Sequence, residues 1–458
     1  MPPPTAPAKL TSAISQGSVH GDVWRLAWAS VLTSSLMTLN TLLDRFFVGR
    51  LGSDALAAVA IGGQVLFVMV SAAFAITVGA TALVSRFTGA GDQESACRAT
   101  AQAVSLSALL GILGIGVCAL TLGPYLNSID LHPAVRVECT RFVWAAFWGV
   151  VPSFAVMTIG AAYRGIGDTR TPLLITIVAN LVHLAGDWTL MLGHWGFPML
   201  GVAGGGLAMS ISQFVALGAS LYGLSRTPLA PSMRLGSLMP SVEWATRVLR
   251  IGVPAAVTAL LRSSSSMAFT AVLASTPQGT AAVAALGIGL AAESIAFMPG
   301  LGFGVAGAAL VGQALGAKMP ARARQYGWAA ALQACVVMSA MGALFYFAAT
   351  PFAAVFTKDL AVRGCAAEYL RIMAFSEPLL AYSMVLTGSL QGAGYTVVPT
   401  MVTVLTFWLV RVPVAYLLAG HAGLGSTGAW LAMSGSTMVS GVCMIAMFRY
   451  GKWQSTRV

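Results

Sequence analysis

Charge is what this 458-residue chain has least of. Asp, Glu, Lys and Arg together make up 9% of it, against about 25% in an ordinary soluble domain. With 57% hydrophobic residues and a mean hydropathy of +0.81, that scarcity excludes a soluble globular protein and leaves a polytopic membrane protein. Cysteine is also sparse. Cys97, Cys118, Cys139, Cys335, Cys365 and Cys443 are scattered without a CxxC pair, and no histidines cluster at metal-ligand spacing. A disulfide framework, a metal centre and a cofactor are therefore not expected, and no catalytic constellation points to an enzyme. A signal peptide is not expected either. The tail 1–22 is polar and Pro-rich, and the apolar run after it is too long for a leader and is followed by many more.

Among the charges present, 25 Lys and Arg face 14 Asp and Glu, a net +11. In a soluble protein that excess would suggest nucleic acid. Here most basic residues fall in short breaks between apolar runs, so the excess reads as a topology signal and no nucleic-acid partner is expected. Taking Gly, Pro and charge clusters as punctuation, twelve spans are centred in 24–49, 55–85, 97–122, 141–162, 172–193, 200–224, 247–272, 281–313, 325–349, 366–389, 399–419 and 426–448. Each is long enough to cross about 30 Å of hydrocarbon. With the N-terminus inside, sixteen basic residues lie on the inner side and seven on the outer, with Arg262 and Arg411 within spans. The bias places both termini in the cytoplasm and the chain, as a multi-pass protein, in the inner (cytoplasmic) membrane.

The chain also repeats. Shifted by 227 residues, "GSDALAAVAIGG" (52–63) aligns with "GTAAVAALGIGL" (279–290), and "VGATALVSRFTGA" (78–90) with "VAGAALVGQALGA" (305–317). The same shift sets "RGIGDTRTP" (164–172) on "QGAGYTVVP" (391–399). These are two homologous six-helix halves in parallel orientation, a plan used by transporters whose lobes rock about a central cavity. The division is a tail 1–22, an N-lobe 23–224, a linker 225–246, a C-lobe 247–448 and a tail 449–458.

An ionisable side chain inside a span costs about 2.5–3.5 kcal/mol on insertion scales, so it normally faces a cavity or a partner. The first half has Asp44 in span 1 and, in span 5, "ANLVHLAGDWTLM" (179–191) with Asn180, His183 and Asp187 on one helical stripe. Asp44 lies five residues before Gly49 and Asp187 six before Gly193. At the helical rise both sit about 8–9 Å from the outer ends of outward-running spans, at a common depth. Two carboxylates in a pocket of low dielectric cannot easily both ionise, which suits a group that takes up and releases a proton, with the imidazole tuning the step. The competing reading is structural: Asp187 bonded to His183, and Asp44 capped by Arg45 or Arg50. The 227 shift puts Ala271, Val410 and Val414 at the places of Asp44, His183 and Asp187. The second half instead carries Arg262, Glu293, Glu377 and Arg411, read as structural or accessory charges that neutralise one another, with Glu377 against Arg411 as one pair.

"LLDRFFVGRLGSDALAAVAIG" (42–62), "YRGIGDTRTPLLITIVANLVHLAGD" (163–187), "GFPMLGVAGGGLAMSISQ" (196–213) and the echo "GSLQGAGYTVVP" (388–399) together resemble the multidrug and toxic compound extrusion (MATE) transporters over nearly the whole chain. The resemblance implies an all-α fold of twelve transmembrane helices in two pseudo-symmetric six-helix lobes arranged as a V. It implies an antiporter, a functional monomer, that exports amphipathic, often cationic small organic molecules against a proton or sodium gradient. Asp44 matches the family's span 1 acid, Asp187 its span 5 acid, and Asn180 the first Asn of its span 5 pattern. His183 stands where the family commonly has a second Asn, which weighs against a sodium site there. Arg262 and Leu380 occupy the places of the NorM-like branch's second-lobe acids, so the chain looks closer to the DinF-like branch, with protons as the expected coupling ion and sodium the alternative.

Other signals are weaker. "GIGD" (165–168) matches the GxGD string of intramembrane aspartyl proteases, but Asp168 falls in a cytoplasmic loop between Arg164 and Arg170. Pro299 in "FMPGLGFG" reads as a gating bend of span 8 or as close packing by small residues. Flipping of lipid-linked precursors is the alternative function. It would call for a wide basic cavity and often for two more spans.

Overall fold

A computed structural model describes residues 18–129 and 131–456, the side chain of Leu235 excepted. Among the described residues there is no strand. The longer helices are α1 (Val19–Gly49), α2 (Ser53–Ala90), α3 (Gln93–Ser128), α4 (Pro133–Gly165), α5 (Arg170–Met191), α6 (Val202–Leu224), α7 (Val242–Ala274), α8 (Gly279–Gly316) and α9 (Pro320–Phe347), then α10 (Leu360–Ala374), α11 (Glu377–Gly392), α12 (Val397–His421) and α13 (Gly425–Tyr450). Eleven are long and apolar enough to cross a membrane. The tenth expected span is α10 and α11 in series. Pro378, at the start of α11, brings no N–H and its ring excludes the helical carbonyl of Ala374, so the chain turns at Phe375–Ser376 before resuming. Large apolar side chains such as Leu120 and Phe347, 80% and 82% exposed, lie on the outside, as lipid contact allows and water does not.

The helices form two compact units, Leu32–Gly252 and residues 18–31 with 253–456, so the boundaries fall inside α1 and α7. Within the first unit α4 packs on both α2 and α6, and α5 packs on α6. Within the second, α11 packs on α8 and α13 in the same manner. The sequence repeat is visible in single contacts. A Cβ on Gly62 of α2 would strike the ring of Phe142, and one on Gly289 of α8 would strike the ring of Tyr369, the residues that the 227 shift pairs with one another. Small residues recur at these crossings because helices in lipid associate by close backbone approach. Pro299 lies within the continuous α8, beside Gly300 and Gly302, which admit Met384 and Val31.

The segment after α6 is tied to α3. Gln102 Nε2 donates to Ser237 O (2.8 Å) and Met239 O (2.6 Å), its Oε1 accepts from Ser241 N (2.7 Å), and Gln93 Nε2 donates to Pro228 O (2.8 Å). Broken into a 3-10 turn at Ala230–Met233 and one α-helical turn at Leu235–Leu238, this backbone finds its remaining hydrogen-bond partners partly in amide side chains.

Candidate functional site

The polar stripe of α5 faces α1. Asn180 Nδ2 donates to Leu36 O (3.1 Å), which docks one helix on the other. One turn on, Asn40 Nδ2 lies 3.0 Å from His183 Nδ1 and 3.4 Å from Asp44 Oδ2. His183 sits between the two acids, with Nδ1 3.9 Å from Asp44 Oδ1 and Nε2 3.7 Å from Asp187 Oδ1. An amide donor on Nδ1 assigns the proton to Nε2, on the side of Asp187. Asp44, His183 and Asp187 each present a ligand atom within 4.8 Å of the others. The four residues singled out in the sequence are thus brought together, and Asn40, four residues before Asp44, joins them.

Burial is graded across the cluster. The Asp44 side chain is 31% exposed, that of His183 11% and that of Asp187 1%. Neither oxygen of Asp187 accepts a hydrogen bond from a fixed donor. Its neighbours are the imidazole, 3.7 Å away, and the carboxylate of Asp44, within 4.8 Å. Two carboxyl groups can bond to one another only through a proton or a bridging cation.

The local backbone supports this arrangement. At Asp187 the α-helix gives way to a π-helical turn, Asp187–Met191, a feature frequent at functional sites. It is accommodated by the glycine run of α6. A Cβ on Gly204 would collide with the carbonyl of Leu190, one on Gly205 with Met191, and one on Gly186 would lie 2.6 Å from Ala208 Cβ. At the other end of α5, Asp168 Oδ1 accepts from Arg170 N and Thr171 N, both at 3.0 Å. That is a helix cap, a structural use of the GIGD aspartate.

The second-half charges do not pair as the sequence suggested. Among the described residues no ion pair joins Arg262, Glu293, Glu377 or Arg411; Arg411 instead donates to Ser436 and Thr437 (2.9 Å each), and Glu293 accepts from Tyr369 at 2.6 Å. Glu377 opens α11, 1% exposed, with Oε2 unbonded. Ser436 and Thr437 commit two of the five Arg411 donors to α13.

A two-lobed helical bundle with an acid pair in its first lobe defines the class: a multi-pass membrane transporter with an internal repeat. The MatE family model matches twice, over residues 29–189 and 254–417, once in each half. The chain belongs to the MATE family of membrane transporters. It is 27% identical over 447 residues to a protein of Thermotoga maritima named probable multidrug resistance protein NorM, covering 96% of this chain and 94% of that one. A Bradyrhizobium diazoefficiens protein of the same name is 29% identical, covering 93% and 92%. Among solved structures, a MOP superfamily transporter from Pyrococcus furiosus superposes with a TM-score of 0.86 at 22% identity, covering 95% of this chain and 96% of that one. A mutant of the Vibrio cholerae MATE transporter VcmN gives 0.88 at 21% identity, covering 96% and 99%. These likenesses carry the twelve-helix, two-lobe fold.

Proposed function

We propose that this chain is a secondary active multidrug efflux antiporter of the cytoplasmic membrane, with both termini inside, working as a monomer. It exports amphipathic, often cationic organic compounds in exchange for protons. The relatives named as probable multidrug resistance proteins support the cargo. The coupling reading rests on one observation: Asp44 and Asp187, from two different helices, converge on His183 with both Asp187 oxygens lacking a fixed donor. A proton entering from outside joins the carboxyl groups and changes the hydrogen bonding that Asn40 and Asn180 maintain between α1 and α5. Substrate binds the deprotonated site, so the two ligands oppose each other through differential affinity for two states. His183 in the second Asn place favours protons over sodium, and Arg262 and Leu380 at the places of the NorM-like second-lobe acids favour a position near the DinF-like branch.

Drug-triggered proton movement across proteoliposomes, recorded with and without sodium, tests the reading. A proton flux on drug addition that is indifferent to sodium is expected. Flux that requires sodium, or drug movement without any ion flux, overturns proton coupling.

A further inference from the structure

In the second unit, the connection from α7 to α8 and the first turns of α8, α10 and α13 border an open cavity of about 630 Å³, a volume in the range of small-molecule sites. One helix ends there and three begin, so the orientation proposed above turns its mouth to the outer side. Ala361, Gly364, Cys365 and Glu368 line it from one face of α10. Gln278, Thr280 and Ser426 supply oxygens from the other walls, and Pro277 and Leu360 add apolar surface. Glu368 is the one charged residue among the described residues of the lining. Its Oε1 accepts from Thr427 Oγ1 at 2.6 Å. Its Oε2 has no hydrogen bond, and the carboxylate no ion pair, among the described residues.

The internal repeat supplies a comparison. The 227 shift sets Glu368 on Arg141, Cys365 on Glu138 and Gly364 on Val137. The register is fixed next door, where Phe142 and Tyr369 meet Gly62 and Gly289 in the same way. In the first unit Arg141 and Glu138 close on one another at 3.2 Å. In the second an acid stands in place of that cation and a thiol in place of its partner, so the charge is left unanswered. A Cβ on Gly364 would meet nothing within 4 Å, so the side chain missing there leaves its volume to the cavity. The positive end of α10 does not offset the acid, because Asp359 Oδ1 already accepts from Ala361 N (2.8 Å) and Val362 N (3.3 Å).

A carboxylate with one oxygen committed and hydroxyl and amide oxygens around it suits a primary ammonium group, whose three donors can be shared between charged and neutral acceptors. We propose that this cavity binds a primary ammonium group carried on a compact apolar body, as in arylalkylamines, with Glu368 as the anchor. The site lies in the other unit from Asp44 and Asp187 and requires neither of them. Phosphatidylethanolamine carries the same group, and the experiment separates the two sources.

Binding is measured at equilibrium without a gradient, so its outcome is independent of proton coupling. The full chain in phosphatidylcholine nanodiscs is titrated with 2-phenylethylamine and with the neutral 2-phenylethanol. Saturable binding of the amine, preferred over the alcohol by about tenfold or more, is expected for a hydrogen bond to a charged group. Glu368→Gln keeps the shape and an acceptor for Thr427 but removes the preference. Gly364→Val, which installs the first half's residue, fills the cavity and abolishes binding. Melting temperature identifies a misfolded variant. In that case protection of Cys365 in the unaltered protein from a methanethiosulfonate reagent, by the amine and not by the alcohol, supplies the same test through peptide mass. With phosphatidylethanolamine added to the disc, unchanged amine binding supports a free compound as the ligand, and competitive loss supports the same site with the lipid headgroup in it. Equal affinity for amine and alcohol, a preference that survives Glu368→Gln, or undiminished binding in a folded Gly364→Val overturns the proposal.

Discussion

Asn40 of α1 and His183 of α5 meet at 3.0 Å, amide nitrogen to ring Nδ1. This contact sets the ring's tautomer and with it the direction of the N–H toward Asp187. We predict that Asn40→Ala lowers proton-driven efflux by about tenfold with little change in melting temperature, because the residue is only half-buried and the two helices remain docked through Asn180. Efflux assays paired with thermal shift in detergent check both parts. Undiminished efflux would remove Asn40 from the site.

For the acids, Asp44→Asn and Asp187→Asn retain shape and hydrogen-bonding groups but discard the exchangeable charge. Each is expected to abolish drug-triggered proton movement in proteoliposomes, within the assay's sensitivity. Asp187→Asn is expected not to destabilise the protein, since an amide removes a buried carboxylate that no fixed donor serves. Full activity in either variant would leave the proton without its proposed seat.

Gly204 bears on the wide turn that carries Asp187. Gly204→Ala places a methyl group against the Leu190 carbonyl, which is backbone and cannot rotate away. We predict a loss of about 1–3 kcal/mol, read as a lower melting temperature, together with reduced coupling because Asp187 shifts. Gly218→Ala, on the same helix with nothing within 4 Å of the added atom, serves as the control and should be silent.

Gln102 holds three backbone groups of the segment after α6. Gln102→Ala leaves Ser237 O, Met239 O and Ser241 N to find water. Faster tryptic cleavage at Arg234 is expected, by about fivefold or more for a loss near 1 kcal/mol per bond. A cleavage rate equal to that of the unaltered protein would show that the segment is held by other means.

Much of this was legible in the residues. Spans, the two-fold repeat and the stripe Asn180, His183, Asp187 follow from helical period and from the expense of charge in hydrocarbon, rules that act locally or act on whole segments. The pairing of Asp44 with Asp187 was accessible because both lie at the same distance from a span end. Asn40 went unnoticed although it stands one helical turn before Asp44; an uncharged amide in a span is too common to stand out, and its value comes from the helix opposite. The division of the tenth span was signalled by Pro378, which a hydropathy window averages away. The expected pairing of Glu377 with Arg411 failed because opposite sign does not fix direction. Hydroxyls of α13 reached Arg411 first, and Tyr369 took Glu293.

The wide turn at Asp187–Met191 has a bearing on how the halves relate. Such a turn is where a helix has absorbed a residue without breaking, and each side chain beyond it looks out on a different compass bearing from the one a regular helix would give. In α12, the counterpart of α5, similar turns fall at Leu405–Arg411 and Leu417–His421. Two copies of one unit can therefore keep their packing, helix for helix, and still carry unlike chemistry: acids and an imidazole in one, guanidinium groups in the other.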